Sequence, residues 1–188
     1  MASLKDIVQN CTKCVLHQQR ILTVVGQGNP ETATVLFIGE APGKNEDKQG
    51  RPFIGQAGIL WKNILNEIQF PYKDVAYVTN VIKCRPPNNR NPTQEEIKIC
   101  SFYLNKQIDI IKPKIICCLG NFASDYILKK FDLKDKIQGI SKIHGQVFNA
   151  STLIGTIKII PLYHPAVATY NYNMLETLKK DFKKIKWR

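Results

Sequence analysis

Six cysteines and a handful of polar residues carry most of the chemistry open to this 188-residue chain. Cys11 and Cys14 form a C-x-x-C near the N-terminus, and Cys84 and Cys100 are separated by 15 residues. Two thiolates one turn apart can grip one metal centre, and two more from a distant segment can complete it. Disulfides are disfavoured, because nothing marks the chain for an oxidising compartment. A thioredoxin-type redox pair normally follows a strand and opens a helix, which Cys11-Thr12-Lys13-Cys14 does not obviously do. Zinc and an iron–sulfur cluster both remain open. Zinc ribbons typically use two C-x-x-C pairs, so the wide second pair leans toward a cluster. Cys117 and Cys118 lie inside an apolar run and read as buried thiols, small hydrophobes of the core.

Polar residues gather at three further places. Gly39-Glu40-Ala41-Pro42-Gly43 can expose backbone N–H groups to an anion. It is neither a Walker loop nor the G-x-G-x-x-G dinucleotide fingerprint. It continues into a long loop with Glu46, Asp47 and Phe53, where Phe53 reads either as a core plug or as a stacking platform. Asn80 precedes a Pro- and Asn-rich basic stretch holding Lys83, Arg85, Asn89 and Arg90, which suits phosphate or base contacts. His164 stands in Tyr163-His164-Pro165-Ala166, where a structural histidine competes with a catalytic one.

The elements that must position these residues follow from periodicity. Short apolar runs at Thr34–Ile38, Val75–Thr79, Lys114–Leu119 and Ile157–Pro161 predict strands. Between them, Ala57, Leu60, Trp61, Ile64, Leu65 and Ile68 share a helical face, as do Ile97, Cys100, Leu104, Ile108 and Ile111. Thr93-Gln94-Glu95-Glu96 predicts a capping box for the second helix, and Phe122, Tyr126 and Lys130 a third helix after Gly120. Alternating strands and helices predict one α/β domain over 1–188, with a parallel sheet covered on both faces. Sites in such sheets form outside the carboxyl ends of the strands, where Gly39–Gly43, Asn80 and His164 all fall.

Charge adds little by itself. The chain has 27 Lys+Arg against 15 Asp+Glu, a net charge of +12, which tilts toward a polyanionic partner. The last ten residues hold six positive charges and one negative. Met174, Leu175, Leu178, Phe182 and Ile185 recur between them at helical spacing, so these lysines read as the solvated face of an amphipathic helix. No apolar run reaches the roughly 20 residues of a membrane span, and Met1–Asn10 has no signal-peptide core. An intracellular protein of cytoplasm or nucleoid is expected, with no membrane partner.

Taken together, these residues resemble a known family. Cys11-x-x-Cys14-x-Leu16-x-x-x-Arg20, Gly39-Glu40-Ala41-Pro42-Gly43, Glu46-Asp47-x-x-Gly50-Arg51-Pro52-Phe53-x-Gly55-x-Ala57-Gly58, Thr79-Asn80-x-x-Lys83-Cys84-Arg85-Pro86-Pro87, Cys100 and His164-Pro165-Ala166 are similar to the motifs of family-four, iron–sulfur uracil-DNA glycosylases. The resemblance covers nearly the whole chain, in the family's order and spacing. It implies a three-layer α-β-α sandwich around a central, mostly parallel four-stranded sheet. It further implies a [4Fe–4S] cluster on Cys11, Cys14, Cys84 and Cys100, in a lobe built from the N-terminal segment and residues 84–100.

The implied activity is removal of uracil from single- or double-stranded DNA by a monofunctional glycosylase without a lyase step. A catalytically silent DNA-damage-binding module and an iron–sulfur redox protein are the alternatives on the same fold. Phe53 would stack on the flipped base, Asn80 would read its edge, and Gly39 and Gly43 would line its site. His164 and the backbone of the Glu40–Gly43 loop would stabilise charge on the departing base. The best-known uracil glycosylases carry an Asp where this chain has Ala41, so either Glu40, Glu46, Asp47 or Asn89 orients the water, or a cation-like sugar needs little activation. Lys83, Arg85 and Arg90 would hold phosphates. Val167 or Tyr170 would wedge into the duplex, or merely connect to the last helix. A monomer is expected, with a sliding clamp as a candidate second partner.

Overall fold

Four of the five strands carry apolar side chains on both faces, which fits strands covered on both sides. In the computed structural model, which describes residues 2–153 and 155–187, the chain opens with α1 (Ala2–Gln9) and reaches β1 (Val35–Gly39) through a long irregular segment. Next come α2 (Lys44–Gln49), α3 (Gln56–Glu67), α4 (Tyr72–Val75) and β2 (Ala76–Asn80). The central part is α5 (Gln94–Ile111), β3 (Ile115–Leu119), α6 (Asn121–Lys130) and α7 (Ile140–Ile143). The chain closes with β4 (Phe148–Thr152), β5 (Gly155–Leu162), α8 (Val167–Tyr170) and α9 (Met174–Phe182).

The sheet order is β2-β1-β3-β5-β4; the first four strands are parallel and β4 runs antiparallel. Successive side chains of a strand point to opposite faces. Leu36, Ile38, Ile116 and Cys118 accordingly pack on the side of α1, α5 and α6, while Val35, Phe37, Ile115 and Cys117 pack against α3 and α9. Both adjacent cysteines are therefore fully buried, one on each face. The three-layer α/β sandwich is as expected.

The sheet has five strands rather than four. Phe148-Asn149-Ala150-Ser151-Thr152 buries only Ala150, so its hydrophobic signal is too weak to read as a strand; β5 supplies its pairing partner. The last helix is also shorter than the Met174–Trp187 pattern. It ends at Phe182, and a following turn still carries Ile185 into the core. Arg188, counted in the C-terminal charge, and Met1 lie outside the described residues.

The chain leaves β1 toward β2 on one side and reaches β3 on the other. The carboxyl end of β1 is thus the topological switch point, where open α/β sheets place their ligands.

Candidate functional site

Gly39 and Asn80 end β1 and β2 side by side in register. A Cβ at Gly39 would collide with Asn80 Oδ1 and come within 3.0 Å of Phe53 Cζ, so only glycine lets these two side chains meet. Gly58, in the first turn of α3, is needed for a similar reason: a Cβ there would strike the backbone of Phe53. Phe53 itself has φ +54°, a left-handed conformation that an aromatic residue adopts only when its surroundings impose it. Glu46 supplies part of that constraint. Its Oε1 accepts from Ile54 N at 3.0 Å and Gly55 N at 2.8 Å, pinning the loop just after Phe53. Trp61 backs the Phe53 ring, with centroids 5.5 Å apart.

A cavity opens above these groups, lined by Glu40, Ala41, Gly43, Phe53, Asn80, Asn89 and His164. Asn80 is only 3% exposed, yet its side-chain amide has no hydrogen-bond partner among the described residues. A buried amide left unpaired costs free energy unless a ligand completes it. His164, two residues past β5, faces Phe53 at 6.2 Å between ring centroids. Burial pulls its pKa down to about 4, against the opposing charge of Glu46, so the ring is neutral at pH 7. Ala166 N donates to His164 Nδ1 at 3.2 Å, which assigns the single proton to Nε2. The imidazole is therefore a neutral hydrogen-bond donor.

Glu40 and Asn89 also reach this cavity. Burial raises the pKa of the Glu40 carboxyl, and that side chain has no hydrogen bond or ion pair among the described residues. Asn88 and Asn89 sit at φ +53° and +54° in a short 3-10 turn, where Asn89 Oδ1 accepts from Arg85 Nε at 2.7 Å.

Two expected site residues are placed elsewhere. Asp47 is 2% exposed and turned away from the cavity; its Oδ1 accepts from Ile21 N at 3.0 Å. Neighbouring helical residues point about 100° apart, so α2 can aim only one of Glu46 and Asp47 at the site. Lys83 is 1% exposed and cannot present its charge to a phosphate. Its Nζ donates inward, to Thr79 Oγ1 at 2.8 Å and to the Asn80 carbonyl at 2.6 Å. Arg90 lines the cavity but is held by Glu96 through two bonds of 2.9 and 2.6 Å. That carboxylate also completes the Thr93 capping box of α5, as the sequence predicted. On the far side, Val167 is half-buried and Tyr170 is 90% exposed on the single-turn helix α8.

The four cysteines outside the strands converge. Cys11, Cys14, Cys84 and Cys100 line one small cavity with Arg20 and Tyr103, between the N-terminal segment and α5. Two N–H groups already face sulfur: Arg20 Nη1 donates to Cys84 Sγ, and Lys83 N to Cys100 Sγ, both at 3.2 Å. The buried Tyr103 hydroxyl, on the same wall, has no hydrogen-bond partner among the described residues. Burial holds the Cys100 thiol up to about 12 and raises Cys14 and Cys84 as well. No three Cys, His, Asp or Glu side chains among the described residues are arranged to hold a single metal ion. Four soft donors, N–H groups directed at sulfur and an orphan hydroxyl fit the chemistry of a thiolate-held cluster. The places of Arg20, Tyr103 and Lys83 beside the cysteines were not legible from sequence, because none of the three is a soft sulfur donor.

The family model described as the uracil DNA glycosylase superfamily matches residues 25–187. A type-4 uracil-DNA glycosylase of Sulfurisphaera tokodaii is 46% identical, covering 99% of this chain and 83% of that protein. The type-4 enzyme of Archaeoglobus fulgidus is 45% identical over 98% of this chain and 92% of its own length. That of Thermotoga maritima is 42% identical over 91% and 84%. No helix among the described residues is long and apolar enough to cross a membrane.

Proposed function

The chain belongs to the uracil DNA glycosylase superfamily, with type-4 enzymes among its relatives, and on that premise we propose that it hydrolyses the N-glycosidic bond of uracil in DNA and leaves an abasic site. The observation that carries this reading is the unpartnered amide of buried Asn80, which lines one cavity with the Phe53 ring and a neutral His164.

A base inside a duplex is out of reach of such a cavity, so the nucleotide must be flipped out of the stack. Phe53 offers a preset stacking face. The Asn80 amide N–H suits uracil O4, and its carbonyl suits N3–H. Cytosine presents the opposite pattern and would leave buried polar groups unpaired, a penalty that discriminates far better than shape. As the bond breaks, negative charge grows on the base. His164 Nε2–H, already neutral and oriented, donates to O2, and backbone N–H groups of the Glu40–Gly43 loop share the charge.

Glu40 is the group best suited to orient the attacking water, since its carboxyl faces the cavity without a competing partner. Ala41 contributes no functional group. No lysine lines the cavity among the described residues, which supports hydrolysis without a covalent lyase step. The cysteine cavity suits a [4Fe–4S] cluster on Cys11, Cys14, Cys84 and Cys100, and the group would tie the N-terminal segment to the start of α5. When bound it supplies a rigid cross-link between segments distant in sequence. Incubating the protein with a uracil-containing duplex should release free uracil and leave alkali-labile sites. Tight binding of that duplex with no free uracil would favour a silent recognition module instead.

A further inference from the structure

Lys83 is the feature that this function leaves unexplained. It is one of the largest fully buried side chains of the protein, at 1% exposure, and no carboxylate pairs with it among the described residues. Among the described residues its Nζ meets Thr79 Oγ1 and the carbonyl of Asn80. Thr79 is itself anchored: its hydroxyl donates to Val25 O at 2.8 Å and lies 3.3 Å from Gln107 Oε1, while Gln107 Nε2 donates to the same Val25 carbonyl. At its other end, Lys83 donates its backbone N–H to Cys100 Sγ, and its neighbour is Cys84. One residue thus spans the turn after β2, from the cysteine cavity to the main chain of the base-reading asparagine.

We propose that Lys83 is a positioning residue for base selection: it fixes the backbone of Asn80, and so the direction of its amide, by capping the Asn80 carbonyl from below. The inference rests on the uracil-reading role of Asn80. Its physical basis is the cost of ordering. A short Asn side chain keeps its aim only if its Cα and peptide planes are held, and site groups need placement within about half an ångström. The strand ladder holds Asn80 on the β1 side, but its carbonyl lies at the strand end, where the turn begins. The Lys83 Nζ supplies the missing partner, a donor to the Asn80 carbonyl at 2.6 Å.

The test uses Lys83→Met, which keeps the length of the side chain and removes the ammonium. Thr79→Val is a milder second variant that removes only the hydroxyl partner. Readouts are inhibition by free uracil, the ratio of uracil to cytosine excision, and affinity for a uracil-free duplex against salt. Lys83→Met is expected to weaken inhibition by free uracil about tenfold to a hundredfold, as for a buried carbonyl left without its hydrogen-bond partner. Uracil-over-cytosine selectivity should narrow, while affinity for undamaged DNA and its salt slope stay unchanged. Thr79→Val should move the same readouts in the same direction by a few-fold, and it carries the test alone if Lys83→Met does not fold. Unchanged uracil inhibition and selectivity in a folded variant would overturn the proposal. So would a salt slope reduced by about one, the mark of a phosphate-contacting lysine. If the wild-type protein neither releases uracil nor is inhibited by it, the parent reading fails rather than this one.

Discussion

Asn80 and His164 illustrate how little of a residue's chemistry its type decides. An amide at 3% exposure with no partner, and an imidazole held neutral by burial, derive their roles from the strand ends that carry them. Asn80→Asp exchanges a donor for an acceptor, and uracil turnover should fall roughly a hundredfold or more, because buried polar groups are then mispaired. Steady-state kinetics on uracil and cytosine substrates checks this, and equal kinetics to wild type would exclude edge reading. His164→Ala should lower kcat by about a hundred- to a thousandfold with little change in DNA affinity, in line with loss of one preorganised donor. Because the folded ring has a pKa near 4, the kcat/KM profile should show no imidazole limb at the usual 6.5. The same depression affects stability. The unfolded chain takes up a proton that the folded ring refuses, so stability declines as pH falls from about 6.5 toward 4. These residues were legible from sequence because Asn80 closes one strand and His164 lies two residues past another. Lys83 was not: a lysine beside two arginines reads as surface charge, and only the fold shows its ammonium turned inward.

At the scale of elements, two short pieces place the base-stacking ring. The loop of Phe53 is clamped from α2 by Glu46 and seated against α3 at Gly58. Glu46→Ala should free the strained backbone at residue 53, raising KM for uracil DNA more than it alters duplex affinity, with a modest change in Tm. A KM equal to wild type would show that packing alone sets the ring. The choice between Glu46 and Asp47 could not be made from sequence, since a six-residue helix flanked by glycines has no apolar periodicity to fix its phase. The capping box of α5 was legible, because Thr93 and Glu96 meet the spacing rule with nothing else required. Thr93→Ala should cost about 1 kcal/mol in denaturant unfolding. The fifth strand was not legible, as a polar edge strand is defined by its partner rather than by its own pattern.

For the whole molecule, the +12 net charge divides into parts with separate tasks. On α9, Lys179 is spent on Glu67 and Glu176, Arg90 is spent on Glu96, and Lys83 is internal. Arg85, whose side chain among the described residues bonds only to the cavity-lining Asn89, is the better candidate for a phosphate contact. Arg85→Ala should weaken duplex binding similarly with and without uracil and reduce the salt slope by about one. An effect confined to uracil DNA would instead place Arg85 in base selection. The cysteine cavity lies between the first twenty residues and α5, so the cluster proposed there would matter for stability more than for base choice alone. The measurement that bears most directly on the account is release of free uracil from a uracil-containing duplex by the purified holoprotein, quantified by chromatography. Stoichiometric uracil and abasic sites are expected over many turnovers, with cytosine retained. Intact substrate after prolonged incubation with a folded, cluster-bearing protein would contradict it.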